Sequence, residues 1–477
     1  MLSIHLALFL VCALPWSMSG AGNPALNVRL TTSLTSYDGG ANVQFSSVAI
    51  APYLQNGVVK IPAGAVVRGV VTKTKRVGLG LIHERATLAL EFREYELPDG
   101  RRFPMRGVLK QIDNARETVD KNGEVKGILA ANGPQSLVGG LWHMPDFDRF
   151  SRSFIGLTGA GGRIMTHYSL GPFGGLAVFA VRCAIFRLPE PEIQLTPGTE
   201  MYVRVTELPA DSPTFEAAAE SKVPMELKSW LASLPVEITK PNGLPAADII
   251  NMAFSGTRKE LQAAFREAGW VEADSMNARS RSRFYKAYSS QSGYAAAPVS
   301  KLLYQDTEPD LVYQKSFNTL AKRHHIRLWE TEYEGKPLWL AAATHDVGVR
   351  YESGLKMTHQ IHPKIDWERK KVANDLSFTG CVDAPGFVNR EHAIRNGGEG
   401  KGIISDGRLA FLQLHTDCAH QWTEFTRPDQ PKPALARMAR RMILEGRQYV
   451  VRGNAYYWGY RIATYRPSQN RKIGIEE

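Results

Sequence analysis

The sequence predicts a multidomain chain: an all-β (sandwich or barrel) N-terminal domain followed by an α+β C-terminal domain. Three observations predict it. From about residue 39 to residue 208, short apolar alternations recur between turns that contain Gly and Pro, the pattern of hairpin-connected strands. From residue 241 onward, strand and helix patterns mix without a steady βαβ rhythm. Between them, residues 209–240 carry several prolines around one amphipathic stretch and read as a linker. A length of 477 residues with 43% apolar and 22% charged residues suits two or three ordinary globular domains.

The elements follow in order. Residues 6–14 (LALFLVCAL) form an apolar core too short to cross a bilayer, which takes about 20 apolar residues. Ser19, Gly20 and Ala21 then supply a small-residue cleavage site. Residues 1–21 are therefore expected to be a signal peptide, and the chain to be exported to the periplasm or outer cell envelope of a bacterium. The segment before the apolar core holds no Lys or Arg, so an uncleaved anchor is the alternative. Cleavage leaves Cys183, Cys381 and Cys418. In an oxidising compartment Cys381 and Cys418 could pair, with Cys183 left over; three separate thiols are the other reading.

The β-rich domain is expected over residues 28–208. Val58 to Val71 contains the turn Pro62-Ala63-Gly64, and the run from Leu88 to Leu97 enters the turn Pro98-Asp99-Gly100. Thr196-Pro197-Gly198-Thr199, followed by Met201 to Val205, reads as a closing strand of the same sheet system. The stretches IPAGAVVRGVV, LALEFREYELPDGRRFP and LTPGTEMYVRV are similar to the β-domain of TrbI-like conjugation and secretion-core proteins. Inside this domain lies a Gly-rich apolar insertion, residues 153–187. Its part 170–187 is a candidate for peripheral membrane contact; packing on the sheet is the alternative.

In the second half, Thr257 and Glu260 form a capping box for a helix that runs to about Ala268 and stops at Gly269. Strands are expected near residues 311–313, 326–329, 339–347 and 409–414. Residues 363–379 predict a helix with Pro363 in its first turn, a stripe of Ile365, Arg369, Val372 and Leu376, and a stop at Gly380. Residues 433–444 read as a basic helix, and 449–465 as closing strands.

Five motifs carry a family resemblance: DIINMAFSGTRKELQAAFREAGW, APVSKLLYQDTEPDLVYQK, RHHIRLWE, LWLAAATHD and THQIHPKIDWERKKVANDL. In this order they resemble the LssY C-terminal domain, over about residues 241–464 and in a domain reaching residue 477. Two departures mark this chain. His362-Pro363 stands where the family has an Asp-Pro step, and Leu302-Leu303-Tyr304-Gln305-Asp306 replaces a Leu-Tyr-Leu-Phe-Gly-Arg type of motif. The resemblance implies an envelope or secretion context and no mechanism.

Five of the twelve histidines, His324, His325, His345, His359 and His362, fall between residues 323 and 380, with Asp346, Asp366 and Glu368 close by. Strand alternation puts His345 on one face of its strand and Thr344 and Asp346 on the other, while His325, Arg327 and Trp329 share a face. If the two strands pair, His325 and His345 converge with His359 or His362. The metal candidates are therefore His345, His359 and His362. The cofactor is unknown, and a divalent metal such as zinc is what such a set would hold. The catalytic candidates are His345, Asp346 and Asp366, for metal-assisted hydrolysis. Each also has a plain structural reading: Asp366 and Glu368 suit a helix N-terminus, and Asp366 with Lys370 makes an i,i+4 pair. Zinc-protease, serine-hydrolase and phosphate-loop motifs are absent from the sequence.

The ligand-binding candidates are His325, Arg327, Arg350 and Arg369, since Arg matches carboxylate or phosphate in a bidentate way. With a net charge of +11, an envelope protein or anionic envelope ligand is the expected partner. Nucleic acid is not, because export and the lack of interleaved basic and aromatic residues argue against it. The leading expectation is an exported envelope protein with a non-enzymatic binding or scaffold role; the alternative is the hydrolase.

Overall fold

A computed structural model describes residues 25–37, 40–79, 85–128, 190–290, 292–352, 356–390, 394–395, 402–416, 418 and 434–451. The signal peptide, Cys183, the insertion 153–187 with its candidate membrane contact, and residues 452–477 lie outside them, as does the Arg350 side chain.

The N-terminal half is a closed six-stranded barrel. Its strands are β1 (Leu26–Leu30), β2 (Gln44–Ala49), β3 (Val66–Lys75), β4 (Thr87–Glu96), β5 (Arg102–Ile112) and β6 (Glu200–Glu207). Each pairs antiparallel with the next, and β6 returns to β1, which closes the ring. Closure leaves none of the six with a free edge. Alternate residues point inward, among them Val28, Phe45, Val67, Phe92, Leu109 and Val203. Phe45 and Phe92 meet edge to face at 5.2 Å. Gly69 is required there: a Cβ would lie 2.3 Å from the Glu91 carbonyl oxygen and 2.5 Å from the Phe45 ring. The Pro98-Asp99-Gly100 turn forms as expected, with Gly100 at φ 86° and its N–H donating to the Leu97 carbonyl.

The C-terminal half is a mixed sheet with helices, the expected α+β arrangement. The strands are β7 (Met252–Ser255), β8 (Val271–Glu272), β9 (Leu311–Lys315), β10 (Arg323–Tyr333), β11 (Lys336–Glu352), β12 (Lys356–Ile361), β13 (Gly386–Asn389) and β14 (Arg408–Gln413). Their order is β8-β9-β10-β11-β7-β14-β13, with β12 on the far end of β11. Only the β7–β14 pairing within it is parallel.

The helices are α1 (Met225–Ser233), α2 (Arg258–Glu267), α3 (Ala278–Ser290), α4 (Asp366–Phe378) and α5 (Leu435–Val451). α2 and α4 cover one face of the sheet through Leu261, Phe265, Val372 and Leu376. α1 covers the other through Leu227 and Leu231. The capping box at Thr257 and Glu260 is present. α4 begins at Asp366 rather than Pro363: Lys364 bridges to Ile404, and Ile365 stands as the N-cap.

One further expectation changes. Residues 449–451 belong to α5 and are helical, not strand. That helix also reaches the barrel: Leu444 joins the barrel core, and the Arg440 guanidinium meets the Glu192 carboxylate at 3.0 Å. Cys381 and Cys418 are bonded to each other and sit in the core beneath α2 and α4. No helix among the described residues is long and apolar enough to cross a membrane.

Candidate functional site

The histidine strands pair through a two-residue turn. Glu334 (φ 50°) and Gly335 (φ 70°) occupy it, and Tyr333 faces Lys336. This register sets Arg323 opposite Asp346, His324 opposite His345 and His325 opposite Thr344. Side chains alternate between faces, so neighbouring histidines enter different clusters. His324 and His345 face α4 and the barrel. Arg323, His325, Arg327 and Asp346 face the other way.

The first cluster lies on the seam between barrel and sheet. Asp113, one residue past β5, brings its Oδ2 to 2.8 Å from His324 Nε2. Glu368 of α4 brings Oε2 to 2.6 Å from His324 Nδ1. Both ring nitrogens therefore face carboxylates. Burial alone would strip His324 of its proton, but Asp113 and Glu368 together raise its pKa to about 10. Burial would raise Asp113 in turn, yet His324 holds it below the usual carboxylate range. Glu368 is pushed up, because burial outweighs His324.

His345 stacks on His324 at 4.1 Å between ring centres. Burial, followed by the His324 charge, holds its pKa well below the ordinary value, so it is neutral. Its Nε2 is buried, lies 4.0 Å from Asp113 Oδ1 and has no hydrogen-bond partner among the described residues. The nearest donor atoms of Asp113, His324 and His345 all lie within 4.8 Å of one another. They could hold a metal ion.

Beside this triad runs an ion network that joins the barrel to the sheet. Glu200, at the start of β6, meets Arg29 of β1 at 2.8 Å, Lys315 of β9 at 2.9 Å and Lys371 of α4 at 2.6 Å. Asp375 of α4 meets Lys315 at 2.9 Å, Lys371 at 2.8 Å and Arg29 at 3.3 Å, and it accepts the Trp270 indole N–H at 3.1 Å. With His324 protonated, Asp113, Glu200, Glu368 and Asp375 balance Arg29, His324, Lys315 and Lys371. Such balance is what makes so much buried charge tolerable. Phe378 of α4 packs on Val48 and Ile50 of the barrel alongside.

The second cluster is closed within the sheet region. Asp346 accepts from Arg323 at 3.1 Å, meets His325 Nε2 at 3.0 Å and lies 3.3 Å from His359 Nδ1. Burial would raise this carboxyl, but His325, His359 and Arg323 hold it well below its ordinary range. Burial outweighs Asp346 at His359 and lowers its pKa to about 4. Arg327 donates to Asp248 at 2.5 Å and to the Ser300 carbonyl at 3.0 Å.

The structure distributes the sequence-predicted residues differently from the expected convergence. His325 and His345 lie on opposite faces, because the register pairs His345 with His324. His359 joins Asp346 on the far side. His362 stays near His345, with ring centres 6.4 Å apart and its N–H on the His345 carbonyl at 2.8 Å. Asp366 accepts from the Ser405 hydroxyl at 2.8 Å and the Asp406 N–H at 2.7 Å, so it closes a turn. His345, Asp346 and Asp366 do not form one catalytic group. Arg327 is consumed by Asp248, and Arg369 grips Asp406 with both Nη atoms at 2.8 Å.

Sequence reasoning missed Asp113, Glu200, Lys371 and Asp375. Asp113 and Glu200 carry no local signal of a site, since their partners lie far along the chain. The His324–His345 pairing was readable from the Glu334-Gly335 turn, which fixes the register.

A search of curated proteins finds no match. Among solved structures, the chain is similar to ComB10 of the Com type IV secretion system of Helicobacter pylori, with 8% sequence identity and a TM-score of 0.19. That match covers 40% of this chain and 92% of the other. The family model described as LssY C-terminus matches residues 231–409, the segment that carries both histidine strands and α4.

Proposed function

We propose that this is an exported cell-envelope protein with a non-enzymatic binding or scaffold role linked to secretion, whose partner is an envelope protein or an anionic envelope ligand. The observation that carries this reading is the seam network, in which Asp113 and Glu200 of the barrel meet His324, Lys315 and Lys371 of the C-terminal half. Arg323, Arg327 and Arg369, which would meet a ligand or substrate, are buried and paired with Asp346, Asp248 and Asp406. The seam network unites barrel and sheet into one body. The Cys381–Cys418 bond fits an oxidising compartment, and a net charge of +11 suits an anionic partner.

The test is expression of the full chain with a C-terminal tag in a bacterial host, followed by cell fractionation and in-cell crosslinking. The tagged chain is expected in the periplasmic or envelope fraction, crosslinked to an envelope component. Recovery in the cytoplasm would sink the export part. The hydrolase alternative has one observation in its favour, the Asp113–His324–His345 donor set. Zinc-dependent turnover of simple esters or phosphoesters, lost in His345→Gln, would replace the scaffold reading with it.

A further inference from the structure

We propose that Asp113, His324 and His345 form a divalent-cation site of the zinc class, which clamps the barrel to the C-terminal sheet. This inference does not rest on the scaffold reading. Two imidazoles and one carboxylate are a donor set that zinc takes, with a fourth position left to water. Zinc bonds of about 2.0–2.2 Å in a tetrahedron put neighbouring donors about 3.4 Å apart. The separations of 2.8 Å from Asp113 Oδ2 to His324 Nε2 and 4.0 Å from Asp113 Oδ1 to His345 Nε2 bracket that edge. Asp113 lies one residue past β5, where the Asn114 N–H donates to its Oδ1 at 3.0 Å and holds the carboxylate between the two rings.

The surroundings are those of a metal site. His324 turns its other nitrogen to Glu368, the carboxylate–histidine arrangement that orients a ligating imidazole and strengthens it as a donor. A His324 imidazolium between two carboxylates explains the positions of Asp113 and Glu368. It leaves His345 unexplained. The His345 ring stacks on His324 and keeps a buried Nε2 with no partner close to Asp113. An unsatisfied buried polar atom is destabilising, and an ion bound to Asp113 and both rings removes that cost. On binding, the ion replaces the proton on His324 Nε2, and the proton passes to solvent. Asp113 comes from the barrel, and His324 and His345 come from the sheet, so the ion ties the two together.

The experiment uses the full chain, loaded with zinc, dialysed against metal-free buffer and analysed by mass spectrometry for metal content. Wild type and His359→Gln are expected to retain about one zinc ion per chain, and His345→Gln close to none. Chelation is expected to lower the thermal midpoint of the wild type and leave that of His345→Gln unchanged. Cobalt(II) loading should give the absorption of a tetrahedral ion in the wild type, and not in His345→Gln. Because His345 Nε2 bonds no side chain, His345→Gln leaves the metal-free fold without a broken pair. Should it fail to fold, Asp113→Asn and the wild-type comparison before and after chelation give the same reading. A wild type that retains no zinc or cobalt after loading overturns the proposal, and so does a folded His345→Gln that retains the ion.

Discussion

The two polar clusters of the histidine strands are built from neighbouring residues of the same two strands, yet they answer to different parts of the molecule. On the seam face, His324 and His345 meet Asp113 of the barrel, and Glu200 of β6 shares Lys315 and Lys371 with Asp375. On the opposite face, Asp346 and Asp248 are satisfied by Arg323, His325, His359 and Arg327, all from the sheet region itself. One cluster needs two regions to be neutral and the other needs one. A strand with period two can thus serve two masters at adjacent positions, and a shift of register by one residue would exchange them.

The largest expected effect separates the clusters directly. Asp375→Ala leaves Arg29, Lys315 and Lys371 around Glu200 alone. It should destabilise the protein by about 3–5 kcal/mol and split urea unfolding into two steps as the barrel comes loose. Arg327→Ala strands Asp248 and should destabilise by a comparable amount, about 3–5 kcal/mol, while barrel and sheet still unfold together. Barrel and sheet probes, such as site-specific fluorophores, report this difference. One identical shifted transition in both variants would erase the distinction between the faces.

Next comes the disulfide, which lies in the core on the seam side of the sheet. Replacing Cys381 and Cys418 with serine should destabilise the C-terminal region by about 2–4 kcal/mol, through the freedom restored to the unfolded chain. An unchanged urea midpoint would show that the bond does not form in the native protein.

The third test is pH dependence of the far cluster. His359 faces Asp346 on β11 and Arg323 and His325 on β10. Its pKa is lowered to about 4, so between that pH and 6.5 the unfolded chain binds a proton that the folded chain refuses. Stability tied to His359 is thus fully present above pH 6.5 and drains away as pH falls through about 4. The loss should reach roughly 3–4 kcal/mol, at about 1.4 kcal/mol per unit. His359→Gln should flatten this acid limb in urea titrations run at successive pH values, and an unaltered limb would place the titrating group elsewhere.

Local chemistry determined much of this protein from the sequence alone. Alternating apolar residues and Pro-Gly turns produced the barrel strands, because side-chain period and turn dihedrals are properties of a few consecutive residues. Thr257 and Glu260 capped α2 for the same reason, and His345 and Asp346 were bound to part company across their strand. Tertiary structure decided what each face met. The register of β10 on β11 turned His345 toward His324 and away from His325. Barrel closure carried Asp113 and Glu200 to the seam, and packing of α4 delivered Glu368, Lys371 and Asp375 to them. Those contacts join positions far apart in the chain, and they exist only because buried charges must find opposite charges once water has been excluded.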